Sequence, residues 1–127
     1  MSKQEITAAI SGYFEAYARH DAAGCAACYA PDAWITSPWG PPVTGQAAIE
    51  AVHMEWFEED ERDKTFTILD LRVSDTLALC LLRYDATVLT ENGEVAVAGI
   101  SLNGFVKSES GRWLWTHTSL NELEDVG

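Results

Sequence analysis

Three features of the sequence predict an α+β fold with helices first and an antiparallel sheet after them. Apolar residues recur at three- and four-residue spacing near the start, strand-like alternation fills the chain from Thr65 onward, and a proline- and glycine-rich stretch with one more helical segment lies between. The 127 residues match the size of one domain, and no repeat, low-complexity run or linker divides them, so 1–127 is expected to be a single unit.

Ile6, Ala9, Ile10, Tyr13, Phe14 and Tyr17 fall on one face of a first helix, and Ser2 with Glu5 makes the S-x-x-E pattern that satisfies unpaired amides at a helix start. Asp21 suits the cap of a second, shorter helix running through Tyr29. Pro31 should stop it, because proline lacks a donor and disfavours helical geometry before it. Asp32 to Ser37 alternates as a short strand, and SPWGPPVTG, with three prolines and two glycines, reads as a rigid loop. Ile49, Val52, His53 and Trp56 share a face of a third helix, which the charge run EEDERD at 58–63 is expected to end in water. TFTILDLRV, TLALCLLRYDATVL, EVAVAGISLNGFVK and RWLWTHTSL are predicted strands, separated by Ser74-Asp75, Asn92-Gly93 and Ser110-Gly111. Asn-Gly is the strongest short hairpin signal among these.

Charge narrows the function classes. Eight basic against twenty acidic residues leave a net charge of -12, and such a surface repels phosphate backbones and anionic headgroups, so neither nucleic acid nor a membrane surface is expected as a partner. No apolar run reaches the ~18 residues of a membrane span, and MSKQEITAAI lacks the basic-then-apolar order of a signal peptide. Cys25, Cys28 and Cys80 are odd in number and too few to staple the domain, which fits a reducing compartment and a cytoplasmic protein. Cys25 and Cys28 form a C-x-x-C without the preceding strand of a redox motif, and read as small core residues of the second helix. No second ligand pair at zinc spacing accompanies them, so neither metal nor cofactor is expected.

The order helix, short helix, strand, proline-glycine loop, helix and antiparallel sheet closing on G-R-W resembles the nuclear transport factor 2-like superfamily. Within it, YAPDAWITSPWGPPVTGQAAI at 29–49 resembles the corresponding segment of ketosteroid isomerases and SnoaL-like polyketide cyclases. The resemblance covers nearly the whole chain. It implies a cone-shaped fold, helices packed on a curved sheet around a hydrophobic pocket, and commonly a homodimer through the sheet's outer face. It implies fold more than activity, since the superfamily hosts isomerases, cyclases, dehydratases, hydrolases and members without known chemistry.

In the isomerases a tyrosine and a neutral aspartic acid donate hydrogen bonds to a dienolate oxygen while an aspartate moves the proton. The tyrosine maps to Tyr13, sixteen residues before Tyr29, and the acid maps to Asn103, eight residues before Gly111. The base position, before Pro38, holds Ser37. Resemblance also implies a chain of Tyr13, Tyr29 and His53, and His53 is the best substitute base because imidazole titrates near ~6.5. Each also has a plain structural reading: Tyr13 and His53 as hydrogen-bonded core residues, Asn103 as a satisfied strand amide beside Gly104. Alternation places Asn103 with Ser101 and Phe105, and the isomerase register puts Thr116, Thr118 and Leu120 in the pocket and Trp113, Trp115 and His117 outside. The expected pocket is therefore Tyr29, Ser37, Trp39, Trp56, Phe105, Thr116, Thr118 and Leu120. Its expected ligand is a small apolar carbonyl compound, handled through enolate stabilisation or, alternatively, bound without chemistry; the outward tryptophans point to a homodimer.

Overall fold

The structure, a computed structural model, describes residues 2–123. Helix α1 (Ser2–Ala18) is followed by α2 (Ala22–Ala26), strands β1 (Tyr29–Ser37) and β2 (Gly40–Thr44), helix α3 (Gln46–Trp56), and strands β3 (Glu61–Val73), β4 (Leu77–Thr90), β5 (Gly93–Lys107) and β6 (Trp113–Leu123). The six strands form one sheet in the order β2-β1-β6-β5-β4-β3, antiparallel except for the parallel pair β1–β6. This is the expected α+β arrangement.

The 3.6-residue period of α1 buries Ile6, Ile10, Tyr13, Ala16 and Tyr17 against the sheet. Its end is fixed by His20 in the left-handed conformation (φ 56°), which lets Asp21 N–H donate back to Ala16 O at 2.9 Å and His20 N–H to Tyr17 O at 3.0 Å. Asp21 then caps α2 by accepting from Gly24 N–H at 2.9 Å. Cys25 is buried on this short helix, as expected of a small core residue.

Four boundaries differ from expectation, each for a tertiary reason. The second helix does not reach Tyr29. That residue opens β1 opposite Trp115, whose N–H donates to Cys28 O at 3.0 Å, so sheet pairing outcompetes one more helical turn. Pro31 lies inside β1, in the shifted stretch between Tyr29 and Trp34 where no ladder bond to β6 is lost. SPWGPPVTG is a hairpin rather than a loop: β2 sits at the sheet's edge, where Pro41 and Pro42 need no donor. Finally, the charge run at 58–63 is split. Glu58, Glu59 and Asp60 are exposed beyond α3, but β3 begins at Glu61, ahead of the expected Thr65.

The three expected turns all lie between strands, and Gly93 (φ 110°) supplies the positive φ that the β4–β5 hairpin requires. Between helices and sheet lies the core, which includes fully buried Ile6, Ile10, Ile49, Cys25, Cys80 and Phe105. Each of the larger aliphatic side chains contributes ~1.5–3 kcal/mol on burial.

Candidate functional site

The deepest polar groups lie where α1, α3 and the centre of the sheet meet. His53 is fully buried, and its Nδ1 stands 2.7 Å from Ile49 O, one helical turn back. A carbonyl only accepts, so Nδ1 carries the proton and Nε2 is left as an acceptor. The Tyr13 hydroxyl, 2.8 Å away, donates to that Nε2. Burial holds the His53 imidazole down to about 4, with the Ile49 bond pulling up and the Lys64 charge pushing down. Burial likewise holds the Tyr13 phenol well above its ordinary value, reinforced by neighbouring Tyr29. The pair is thus neutral, oriented and dry.

Aromatic rings enclose it. Tyr13 packs 6.2 Å from Tyr29 and 5.2 Å from Trp115, with Tyr29 stacked on Trp115 at 5.6 Å. Beyond Trp115 a second network is centred on Asn103. Its Nδ2 donates to Cys80 O (3.2 Å), Ser101 O (3.2 Å) and Ser101 Oγ (3.0 Å), and its Oδ1 accepts from Trp115 Nε1 (3.0 Å) and Thr118 Oγ1 (3.2 Å). These partners fix the amide's orientation: the acceptor faces the aromatic interior and the donors face β4 and Ser101. Ser101, Asn103 and Phe105 are all buried on one face, as alternation predicts.

The last strand carries the main correction. Trp113 and Trp115 are buried in the core, not on the outer face. The register with β5 shifts between Gly104 and Phe105: Phe105 pairs with Trp115 and Gly104 with His117, leaving Thr116 as an extra residue. A bulge inverts side-chain parity, so Trp115 and Thr118 both point inward. Thr118 and Leu120 therefore do face the interior, whereas Thr116 turns outward over Gly104, beside exposed His117.

Ser37, Trp39 and Trp56 meet elsewhere, in a cleft of about 440 Å³ between the β1–β2 hairpin and α3, with Val43, Val52 and Glu55 among its other walls. Trp56 joins this cleft to the interior. Its ring lies 6.0 Å from Trp39 on one side and 4.8 Å from His53 on the other. The structure therefore brings together Tyr13, His53 and Tyr29, sets Asn103, Phe105 and Thr118 behind Trp115, and keeps Ser37 and Trp39 across Trp56. Sequence reasoning missed Trp115 as an interior residue and Lys64 as an inward-facing cation. A bulge, which leaves no mark in the alternation, set the face of Trp115; Lys64 follows the alternation of Phe66 and Ile68, and the bulge before it turns Glu61 to the same side.

A SnoaL-like domain model matches residues 10–114, and the chain belongs to this family, within the nuclear transport factor 2-like superfamily. Among solved structures it is similar to a ketosteroid isomerase-like protein from Erwinia carotovora atroseptica (22% identity, TM-score 0.83, 94% of this chain and 95% of that one). It is similar too to a nuclear transport factor 2-like protein of unknown function from Shewanella oneidensis (20% identity, TM-score 0.78, 94% and 98%). A third similar structure is a Catenulispora acidiphila protein determined in complex with S-DNPA (18% identity, TM-score 0.81, 94% and 92%). At these identities the likeness is one of fold. No curated protein matches the chain in sequence. Among the described residues no cluster of potential metal ligands occurs, and no helix is long and apolar enough to cross a membrane.

Proposed function

We propose that the domain takes up a small, largely apolar carbonyl compound and shifts a proton on it, in the manner of an isomerase or cyclase. Tyr13 meets the charge that develops on the substrate oxygen and His53 carries the proton. The observation that supports this reading is the 2.8 Å Tyr13–His53 bond, with the imidazole's other nitrogen tied to Ile49 O. A neutral imidazole with its tautomer fixed by a carbonyl at one nitrogen and a phenol at the other is a proton relay in a low-dielectric setting. Asn103 serves as a positioning residue that holds Trp115 and Thr118 against this pair. The cleft at Ser37 and Trp39 is the entry, and Trp56 must move to open it to His53. A protein of similar fold was determined in complex with S-DNPA, which fits this use of the fold.

The satisfaction of every one of these polar groups inside the protein favours a second reading, a ligand-binding or dimerisation module without chemistry. A phenol-like enolate mimic such as 2-naphthol separates the readings, followed by quenching of Trp39 and Trp56 fluorescence. Saturable binding that Tyr13→Phe weakens by ~1–3 kcal/mol supports the proposal, because the remaining site loses a charge-assisted hydrogen bond. Equal binding by the variant, or none by either protein, overturns it.

The proposal includes a homodimer and a cytoplasmic location. The motive for the dimer is no longer the tryptophan stripe. It is the apolar groove of about 690 Å³ on the sheet's outer face, where Trp34, Leu77, Leu79 and Leu102 are exposed around Thr116 and His117. The three thiols are all free, which suits a reducing compartment.

A further inference from the structure

Lys64 is the cation that the fold turns inward. Between the pairs Arg62–Thr87 and Thr65–Asp85 the register of β3 shifts by one, so Asp63 and Lys64 share a single place opposite β4. Asp63 takes a left-handed backbone (φ 55°) to allow it, a costly conformation for a residue with a side chain. Simple alternation sends positions 61 and 64 to opposite faces; the bulge puts both on the inner one. There Lys64 Nζ lies 3.2 Å from Glu61 Oε1, 4.1 Å from the centre of the Tyr17 ring and 4.8 Å from that of Tyr84. The Lys64 side chain keeps 19% of its exposure, so it is sheltered yet reachable. Tyr17 in turn packs 6.1 Å from His53, so one ring stands between the amine and the imidazole.

Two features set this cluster apart from an ordinary ion pair. A buried pair is a poor source of stability, because desolvation offsets its attraction, and here a strained residue is added to the cost. The hydroxyl of Tyr84, whose ring the ammonium faces, is also buried with no hydrogen-bond partner among the described residues, an unpaired polar group that burial makes costly.

We propose that Lys64 is an imine-forming amine, a covalent site for small aldehydes or ketones, with Glu61 as its proton shuttle. The 3.2 Å contact lets the ammonium pass a proton to the Glu61 carboxylate, leaving a neutral amine. The nitrogen lone pair attacks the carbonyl carbon, a C–N bond forms, and the C=O electron pair takes up the nitrogen's proton at oxygen. Glu61 returns its proton to the carbinolamine hydroxyl, water leaves, and the C=N bond forms as an iminium facing the restored carboxylate. The sum is ammonium plus carbonyl to iminium plus water, with no oxidant or reductant. Desolvation lowers the Lys64 ammonium from its ordinary value, against the upward pull of Glu61, which favours the neutral nucleophile. The site is independent of the Tyr13–His53 proposal.

The chain has three lysines, so the other two are internal controls: Lys3 is exposed and Lys107 lies on the rim beside Trp113. Intact protein is treated with benzaldehyde and cyanoborohydride near neutral pH, and the benzylated lysines are located by peptide mass spectrometry over time. Lys64 is expected to be trapped roughly ten-fold faster than Lys3 or Lys107, as a desolvated amine is neutral more of the time. Glu61→Gln, confirmed folded by circular dichroism, should slow trapping at Lys64 alone. Trapping at Lys64 no faster than at the other two overturns the amine, and an unchanged or faster rate in Glu61→Gln overturns the shuttle, because loss of the Glu61 charge by itself leaves more neutral amine. The wild-type comparison needs no variant. It reads Lys64 alone, so its failure leaves the naphthol result standing, and the reverse holds too.

Discussion

His53 and Tyr13 make a prediction that does not depend on any ligand. The imidazole titrates at about 4 in the folded protein against 6.5 without burial, so as pH falls the unfolded chain takes up this proton first. Stability contributed by keeping His53 neutral is therefore intact above ~6.5 and is lost through the window down to about 4, by ~3 kcal/mol in all. Thermal melts of wild type and His53→Gln across that range should show the wild-type slope reduced in the variant; parallel curves would count against a neutral buried imidazole. Ser37 is the other residue whose chemistry can be tested in isolation. Its hydroxyl accepts from Trp39 N–H at 3.3 Å, and among the described residues no hydrogen bond joins it to a base that could draw a proton from carbon. Wild type should accordingly isomerise a β,γ-unsaturated ketone only through His53, with turnover that His53→Gln removes. Ser37→Asp, with the new carboxylate at the cleft, should raise the rate by ~10²–10⁴-fold over that background. Dienone absorbance against time checks this, and strong wild-type turnover would point to His53 as a base already in use.

Two of the sheet's bulges decide what it presents around the aromatic interior. The one at Thr116 exchanges which side of β6 is apolar, and the one at Asp63–Lys64 turns Glu61 to the face on which Lys64 meets two tyrosine rings. A third close fit is made by Gly99, opposite Tyr84 on β5: a Cβ there would fall on the Tyr84 phenol. Tyr84 is 7% exposed and its ring is held by Lys64, so it cannot simply swing away. Gly99→Ala should cost ~1–3 kcal/mol by overpacking, and in the Tyr84→Ala background the same change should cost much less. Chemical denaturation of the four proteins in that cycle measures the coupling; additive effects would mean that the phenol does not rest on Gly99.

At the level of the assembled protein, the outer sheet face combines exposed apolar residues with a chain whose charge is otherwise strongly negative. Leu79 and Leu102 lie about half exposed on adjacent strands, and a carboxylate at either would sit inside the proposed dimer contact. Wild type is expected to sediment as a dimer at micromolar concentration, and Leu79→Glu or Leu102→Glu as folded monomers. A wild-type monomer, or variants that still dimerise, would remove this face as the interface.

The architecture was legible in the residues because periodicity is local. The helix faces of Ile6, Ile10, Tyr13 and Tyr17 and of Ile49 and His53, the alternation of Ser101, Asn103 and Phe105, and the Asn92-Gly93 hairpin each follow from a few neighbouring side chains. The Tyr13–Tyr29–His53 grouping was legible too, through spacing shared with a known family. Partners distant in sequence settled the rest. The end of α2 depends on Trp115 claiming Tyr29, the prolines of β2 are strand residues because that strand is at an edge, and the inward turn of Trp115 and the meeting of Glu61 with Lys64 each depend on one extra residue in the strand. An alternating pattern reports that two faces differ but not which one meets the helices. One inserted residue reverses the assignment at almost no cost in local propensity, so only packing of the two layers against each other could choose.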